Sequence, residues 1–151
     1  MINKGVLGKV KSYMYVTEFK KCGLPHVHLL LILQDNDKLR DPEDCDSIVR
    51  EKIPKSEEPQ LNKVVPKHMI HGPSRTLNPR SPCMKPNQCK KKYPEEFLEE
   101  RCQGNDSYPQ YERCFNAPIS INRNATVDNR WTVPYNPWLL LKYDCHYHQN
   151  Y

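Results

Sequence analysis

The sequence predicts an α+β domain in which short antiparallel strands are followed by brief helices and interrupted by a Cys/His-rich stretch. Three observations predict it. Two adjoining runs, residues 10–19 and 26–33, are dense in β-branched, aromatic and aliphatic residues, which fit a pleated surface. Two later stretches open on Pro42 and Pro59; proline suits the first helical position because its missing N–H would be unpaired there anyway. Residues 71–94 are rich in Pro, Cys and Lys without a period of two or of 3.6, as expected of an insertion that is either metal-held or loosely ordered.

In the first run, VKSYMYVTEF, Tyr13, Tyr15 and Thr17 alternate with Met14, Val16 and Glu18, the signature of a strand. Turn residues fill 20–25 (KKCGLP), and 26–33 (HVHLLLIL) reads as a second, more deeply buried strand. So short a connection makes an antiparallel hairpin. Beyond Gln34 a short helix is expected over 41–49 and a loop over 53–59. A second helix over 59–69 carries Leu61, Val64, Val65 and His68 at helical spacing. Residues 95–101 are expected to form a third short helix, 119–138 to be extended and turn-rich, and 139–143 to close with an apolar segment. Repeats, heptads and low-complexity tracts are absent from the sequence.

At 151 residues, with 37% hydrophobic residues, fourteen prolines and five glycines, the chain has one modest core at most. The longest apolar run, 29–33, is strand length and far short of a membrane span. Residues 1–10 are polar and basic with no apolar signal core, so no secretion signal is read and an intracellular location is expected; the nucleus is the expected compartment. The seven cysteines are odd in number and several lie among histidines, which favours thiols and metal ligands over a disulfide framework. A net charge of +5 suits a nucleic-acid partner, since Lys and Arg contacts to phosphate supply most non-specific affinity. No G-x-x-x-x-G-K-[ST] pattern occurs, so neither ATPase nor helicase chemistry is read here.

The sharpest chemical feature is His26-Val27-His28. Residues two apart on a strand share a face, so both imidazoles can reach one ion while Val27 faces the other way. Glu18, near the end of the preceding strand, is brought alongside by the hairpin. Two imidazoles and a carboxylate make an open divalent site; two hydrogen-bonded histidines at a strand start are the competing reading.

A second constellation is His68, His71, Cys83 and Cys89. Two histidines three apart followed by two cysteines match a tetrahedral structural zinc site, though with irregular spacing, and buried thiols without metal are the alternative. Lys85, Lys90, Lys91 and Lys92 surround Cys89; they read either as a solvated face or as phosphate contacts. Tyr93, Trp131 and Trp138 are candidates for stacking on bases, but their Pro-rich surroundings favour packing. His146 and His148 form another H-x-H next to the end of the sequence and are read as chance.

The run EFKKCGLPHVHLLLIL, residues 18–33, resembles the histidine motif of HUH endonucleases, in which two histidines flank a hydrophobic residue. In its G-L-P-H-x-H-L-L form it is similar to the rolling-circle replication-initiator domain of Helitron transposons, the Helitron helicase-like domain. HMIHGP (68–73), NPRSPCM (78–84) and DNRWTVPYNPWLLLKY (128–143) extend the likeness along most of the chain. The resemblance implies a partial ferredoxin-like antiparallel sheet with the Cys/His insertion at 68–94 and a metal-binding hairpin at 8–34, all within one partial domain spanning 1–151. It implies Mg2+ or Mn2+ held by His26, His28 and Glu18, single-stranded DNA as substrate, and a tyrosine that attacks the scissile phosphate to leave a 5′-phosphotyrosine link.

The family's asparagine-tryptophan motif precedes the first strand, its tyrosine-lysine motif follows LLLKY, and a helicase domain follows in turn. None of these is matched in the 151 residues. Tyr143, Tyr147 and Tyr151 lie at helical spacing but carry no such motif, so the fragment is expected to lack the nucleophile and to be inactive in nicking. Where the family has H-G-P-C, this chain has Ser74 after Pro73. A zinc site would then rest on His71, Cys83 and Cys89, with His68 filling the fourth position or the site weakened. Two further readings stand beside the endonuclease: a catalytically silent remnant that binds DNA and metal, and a zinc-stabilised interaction module.

Overall fold

The structure is a computed structural model, described for residues 7–19, 25–38, 40, 42–72, 79–86, 88–103, 109–122 and 125–144. It is mixed α/β, and its described sheets are four small antiparallel pairs. The chain divides into two compact units, Met1–Asp41 and Pro42–Tyr151.

The first unit is the hairpin of β1 (Val10–Phe19) and β2 (Pro25–Leu33). Register runs from Phe19 opposite Pro25 to Ser12 opposite Ile32, with an irregularity between Val10 and Ser12. The base is closed by polar contacts: the Gln34 N–H donates to Lys9 O at 2.8 Å and the Lys9 N–H to Asp37 Oδ2 at 2.8 Å. Gly8, at φ 96°, runs so close to Asp37 that a Cβ would lie 2.9 Å from the Asp37 Cβ; backbone conformation and space both demand glycine there.

Burial departs from expectation. The second strand is not deeply buried: Val27, Leu30 and Ile32 are exposed, as are Tyr13, Tyr15 and Phe19 on β1. A continuous apolar run reads as a strand covered on both faces, but among the described residues a two-stranded ribbon is all that this unit provides. Such a ribbon is marginal on its own in water.

The second unit gathers around one extended segment, residues 132–135. Tyr135 bridges Arg50 and Thr132 bridges Ile70, so this segment links the chain on either side of α2 (Pro59–His68). Leu61, Val65 and Met69 from α2 and its C-terminal end pack with Trp131, Val133, Tyr135 and Leu140 in the core. Leu140 lies on α3 (Pro137–Tyr143), which Asn136 caps by accepting from the Leu139 N–H at 2.9 Å. Pro137 supplies the pre-set first position. Helix α1 (Pro42–Ile48) precedes them.

The sequence DNRW is a connector in which each side chain has a task. Asp128 caps the turn and grips Arg130. Buried Asn129 accepts from the Ile53 N–H at 2.7 Å and donates to Cys114 O at 2.8 Å, tying three distant segments together. Arg130 lies over the Phe97 ring, and Trp131 enters the core. Four short strands complete the unit's other pairs: β3 (Met84–Lys85) with β4 (Gln88–Cys89), and β5 (Cys102–Gln103) with β6 (Pro109–Gln110). A last pair joins β7 (Ile119–Asn122) and β8 (Ala125–Val127).

Residues 95–101 form no helix. Leu98 and Arg113 instead exchange backbone hydrogen bonds of 3.1 and 2.7 Å. A helix here would set Glu95 against Glu99 and Glu96 against Glu100, like charges four apart that destabilise a helical turn. Extended chain lets Glu95 reach Arg113 at 2.9 Å. Arg113 also pairs with Glu51, and both of those side chains are almost wholly buried.

Candidate metal centres

In the hairpin, Glu18 is directly opposite His26, and Val16 opposite His28. Opposed residues of an antiparallel pair share a face, and so do residues two apart on one strand. Positions 18, 26 and 28 therefore lie together on one face, with Thr17 and Val27 on the other. Glu18 Oε2 lies 3.3 Å from His28 Nε2, and the two side chains are 60% and 59% exposed. So exposed a pair contributes at most about 1 kcal/mol, too little to hold the hairpin together. Its value is positional: a carboxylate oxygen and an imidazole nitrogen, both groups that ligate divalent cations, meet at an open surface.

A second group forms in the larger unit. His71 follows α2 and is fixed by its N–H, which donates to Trp131 O at 2.8 Å. Its ring stacks on Tyr93, centroids 4.4 Å apart, and its Nε2 lies 3.4 Å from Cys89 Sγ. Cys83 joins through the β3–β4 hairpin, where the Lys90 N–H donates to Cys83 O at 2.8 Å. The ligand atoms of His71, Cys83 and Cys89 all lie within 4.8 Å of one another. Burial, aided by the Lys91 charge, holds His71 below the ordinary imidazole range, which favours the neutral ring that ligates metal. Two thiolates and an imidazole suit Zn2+.

His68 is directed elsewhere. Its Nε2 lies 2.9 Å from Asp144 Oδ1, beside Lys67 at 3.3 Å from the same carboxylate. These contacts, that of His68 foremost, hold Asp144 below the usual carboxylate range. The structure thus brings together three of the four residues read as zinc ligands and gives the fourth a role in joining α2 to α3. Ser74 lies outside the described residues.

Lys85, Lys90, Lys91 and Lys92 are all exposed around this group. Tyr93 and Trp131 are buried, whereas Trp138 is half-buried on α3. Cys45, Cys102 and Cys114 stand apart as unbridged thiols. Residues 20–24, Cys22 among them, and Cys145, His146, Tyr147, His148 and Tyr151 fall outside the described residues, so the second H-x-H has no structural account. Sequence reading missed Tyr93 as the partner of His71 and Asp144 as the partner of His68. Neither pairing has a local signal, because the partners are 22 and 76 residues apart.

No described helix is long and apolar enough to cross a membrane. Residues 1–31 match the model of the family described as the Helitron helicase-like domain at the N-terminus. This is the family that the sequence motifs resemble, and the match is a short stretch taking in β1, Glu18, His26 and His28. No curated protein matches the chain.

Proposed function

We propose that this chain carries the metal-holding part of a Helitron-type rolling-circle DNA endonuclease, acting on single-stranded DNA inside the nucleus. The family match supports a transposon-related role, and the observation that carries the finer reading is the hairpin register, with Glu18 opposite His26 and in contact with His28. In this reading the three residues hold Mg2+ or Mn2+, and the hairpin is part of a ferredoxin-like sheet of the HUH type. When bound, such an ion neutralises charge developing on a scissile phosphate. The protein's own part is to keep Glu18 and His28 aligned by strand pairing and to leave that face open to a DNA strand.

In the larger unit, His71, Cys83 and Cys89 hold a structural Zn2+ that fixes the β3–β4 hairpin, and Lys85, Lys90, Lys91 and Lys92 contact phosphates. None of the 151 residues is assigned as the nucleophile. The reading therefore expects binding of single-stranded DNA without cleavage by this chain, and a partner helicase activity is assigned to no residue here.

The test incubates the full chain with Mn2+ and labelled single-stranded oligonucleotides. Retention of the strand, weakening with salt, and no covalent adduct on a denaturing gel are expected. Salt-independent retention, or none, would favour a zinc-stabilised interaction module instead. A covalent adduct would show that one of the tyrosines present does serve as nucleophile.

A further inference from the structure

We propose that the exposed side of α2 and α3 is a contact surface for single-stranded DNA, on which Tyr143 and Trp138 take bases and Lys142 and Lys63 take phosphates. This rests on the reading that the chain binds such DNA, and it adds a site beyond the lysines around Cys89. Three observations carry it.

The first is charge. The two helices hold Lys63, Lys67, His68 and Lys142 and no carboxylate, in a chain with 18 acidic residues. The acid at their junction, Asp144, is engaged by Lys67 and His68. Lys63 is exposed one turn before Lys67 on the same face of α2.

The second is the placing of rings around a cation. Lys142 Nζ lies 4.6 Å from the Trp138 ring centroid and 5.3 Å from that of Tyr143. An ammonium between two aromatic rings matches a backbone phosphate between two unstacked bases, the combination by which strands are held without sequence preference.

The third is exposure. Tyr143 is 51% exposed and Leu141 40%, while Tyr93 and Trp131 are buried in the core. A scattered apolar residue at a surface needs no explanation. Two rings flanking an exposed lysine, on helices stripped of acid, form a surface complementary to a polyanion with apolar faces.

The test measures anisotropy of a labelled oligothymidine with the full chain and with Tyr143→Ala, Tyr143→Phe and Lys142→Gln. All three variants alter exposed side chains, and circular dichroism checks that the fold persists. Loss of a stacked base is expected to weaken Tyr143→Ala at least about fivefold, with Tyr143→Phe near wild type because the ring is kept. Lys142→Gln is expected to lower the salt slope by about 0.7, one phosphate contact's share for a single strand. Wild-type binding that all three variants retain with unchanged slope would overturn this surface and leave the DNA reading standing. No binding by the wild type at low salt would overturn both. Binding to anionic vesicles but not to the oligonucleotide would assign the surface to lipid and also overturn the proposal.

Discussion

Replacing Arg113 with Met should destabilise the larger unit by an amount that is constant up to about pH 8 and grows above it. Arg113 Nη1 contacts Glu51 and, at 2.9 Å, Glu95, and its Nε–H donates to Glu96 O at 3.0 Å. The Glu51 side chain is 3% exposed. Burial pushes its carboxyl up to about 8, against the pull of Arg113 and with a further push from Glu95. A carboxyl whose folded pKa is raised binds its proton more tightly when folded. Its contribution is therefore fully present below the unfolded value near 4.5 and is lost as pH climbs towards 8. Without Arg113 the carboxyl rises further still, so up to about pH 8 it keeps its proton in both proteins and the loss is that of hydrogen bonds worth about 1–2 kcal/mol. Above pH 8 the variant alone must hold that proton or bury an uncompensated charge, which adds about 1.4 kcal/mol per pH unit. Urea denaturation of wild type and Arg113→Met at pH 6 and pH 10 measures both figures. Combining Arg113→Met with Glu51→Gln should remove most of the extra loss at pH 10. Equal costs at the two pH values, or no recovery in the double variant, would refute the reasoning.

Other expectations follow from the same geometry. Zn2+ in thousandfold excess over its dissociation constant should stabilise the protein by about 4 kcal/mol, and Cys89→Ala should abolish that gain; retention of the full gain would place the ion elsewhere. Asn129→Ala should cost about 2–4 kcal/mol, because the Ile53 N–H and the Cys114 carbonyl both lose their partner, and a cost under about 1 kcal/mol in thermal unfolding would show the connector to be dispensable. Changing Lys85, Lys90, Lys91 and Lys92 to Gln should reduce the slope of log affinity for single-stranded DNA against log salt by up to about 3, whereas an unchanged slope would return them to a solvated face.

Much of the fold was legible because local chemistry signalled it. Alternation in VKSYMYVTEF marked β1, and proline openings marked α1 and α2. The Asn136-Pro137 pair that caps α3 is an equally local signal. What failed was non-local. Burial of HVHLLLIL was read from its composition, but burial depends on neighbouring strands that composition does not specify. In residues 95–101 the spacing of four glutamates opposes a helix, and the reach of Glu95 to Arg113 decides for extended chain. At the sites, the H-x-H period and the hairpin were enough to bring Glu18 to His28. For the Cys/His group, sequence order offered four ligands, and tertiary contacts divided them, sending His68 to Asp144.

The account stands on Glu18, His26 and His28 acting as one site, and Mn2+ titration followed by electron paramagnetic resonance tests this most directly. Wild-type protein pre-loaded with Zn2+ is expected to bind one Mn2+, with Glu18→Gln and His28→Ala each weakening it tenfold or more, the loss typical when one ligand contact worth about 1.4 kcal/mol goes. Unaltered Mn2+ affinity in both variants would contradict the account.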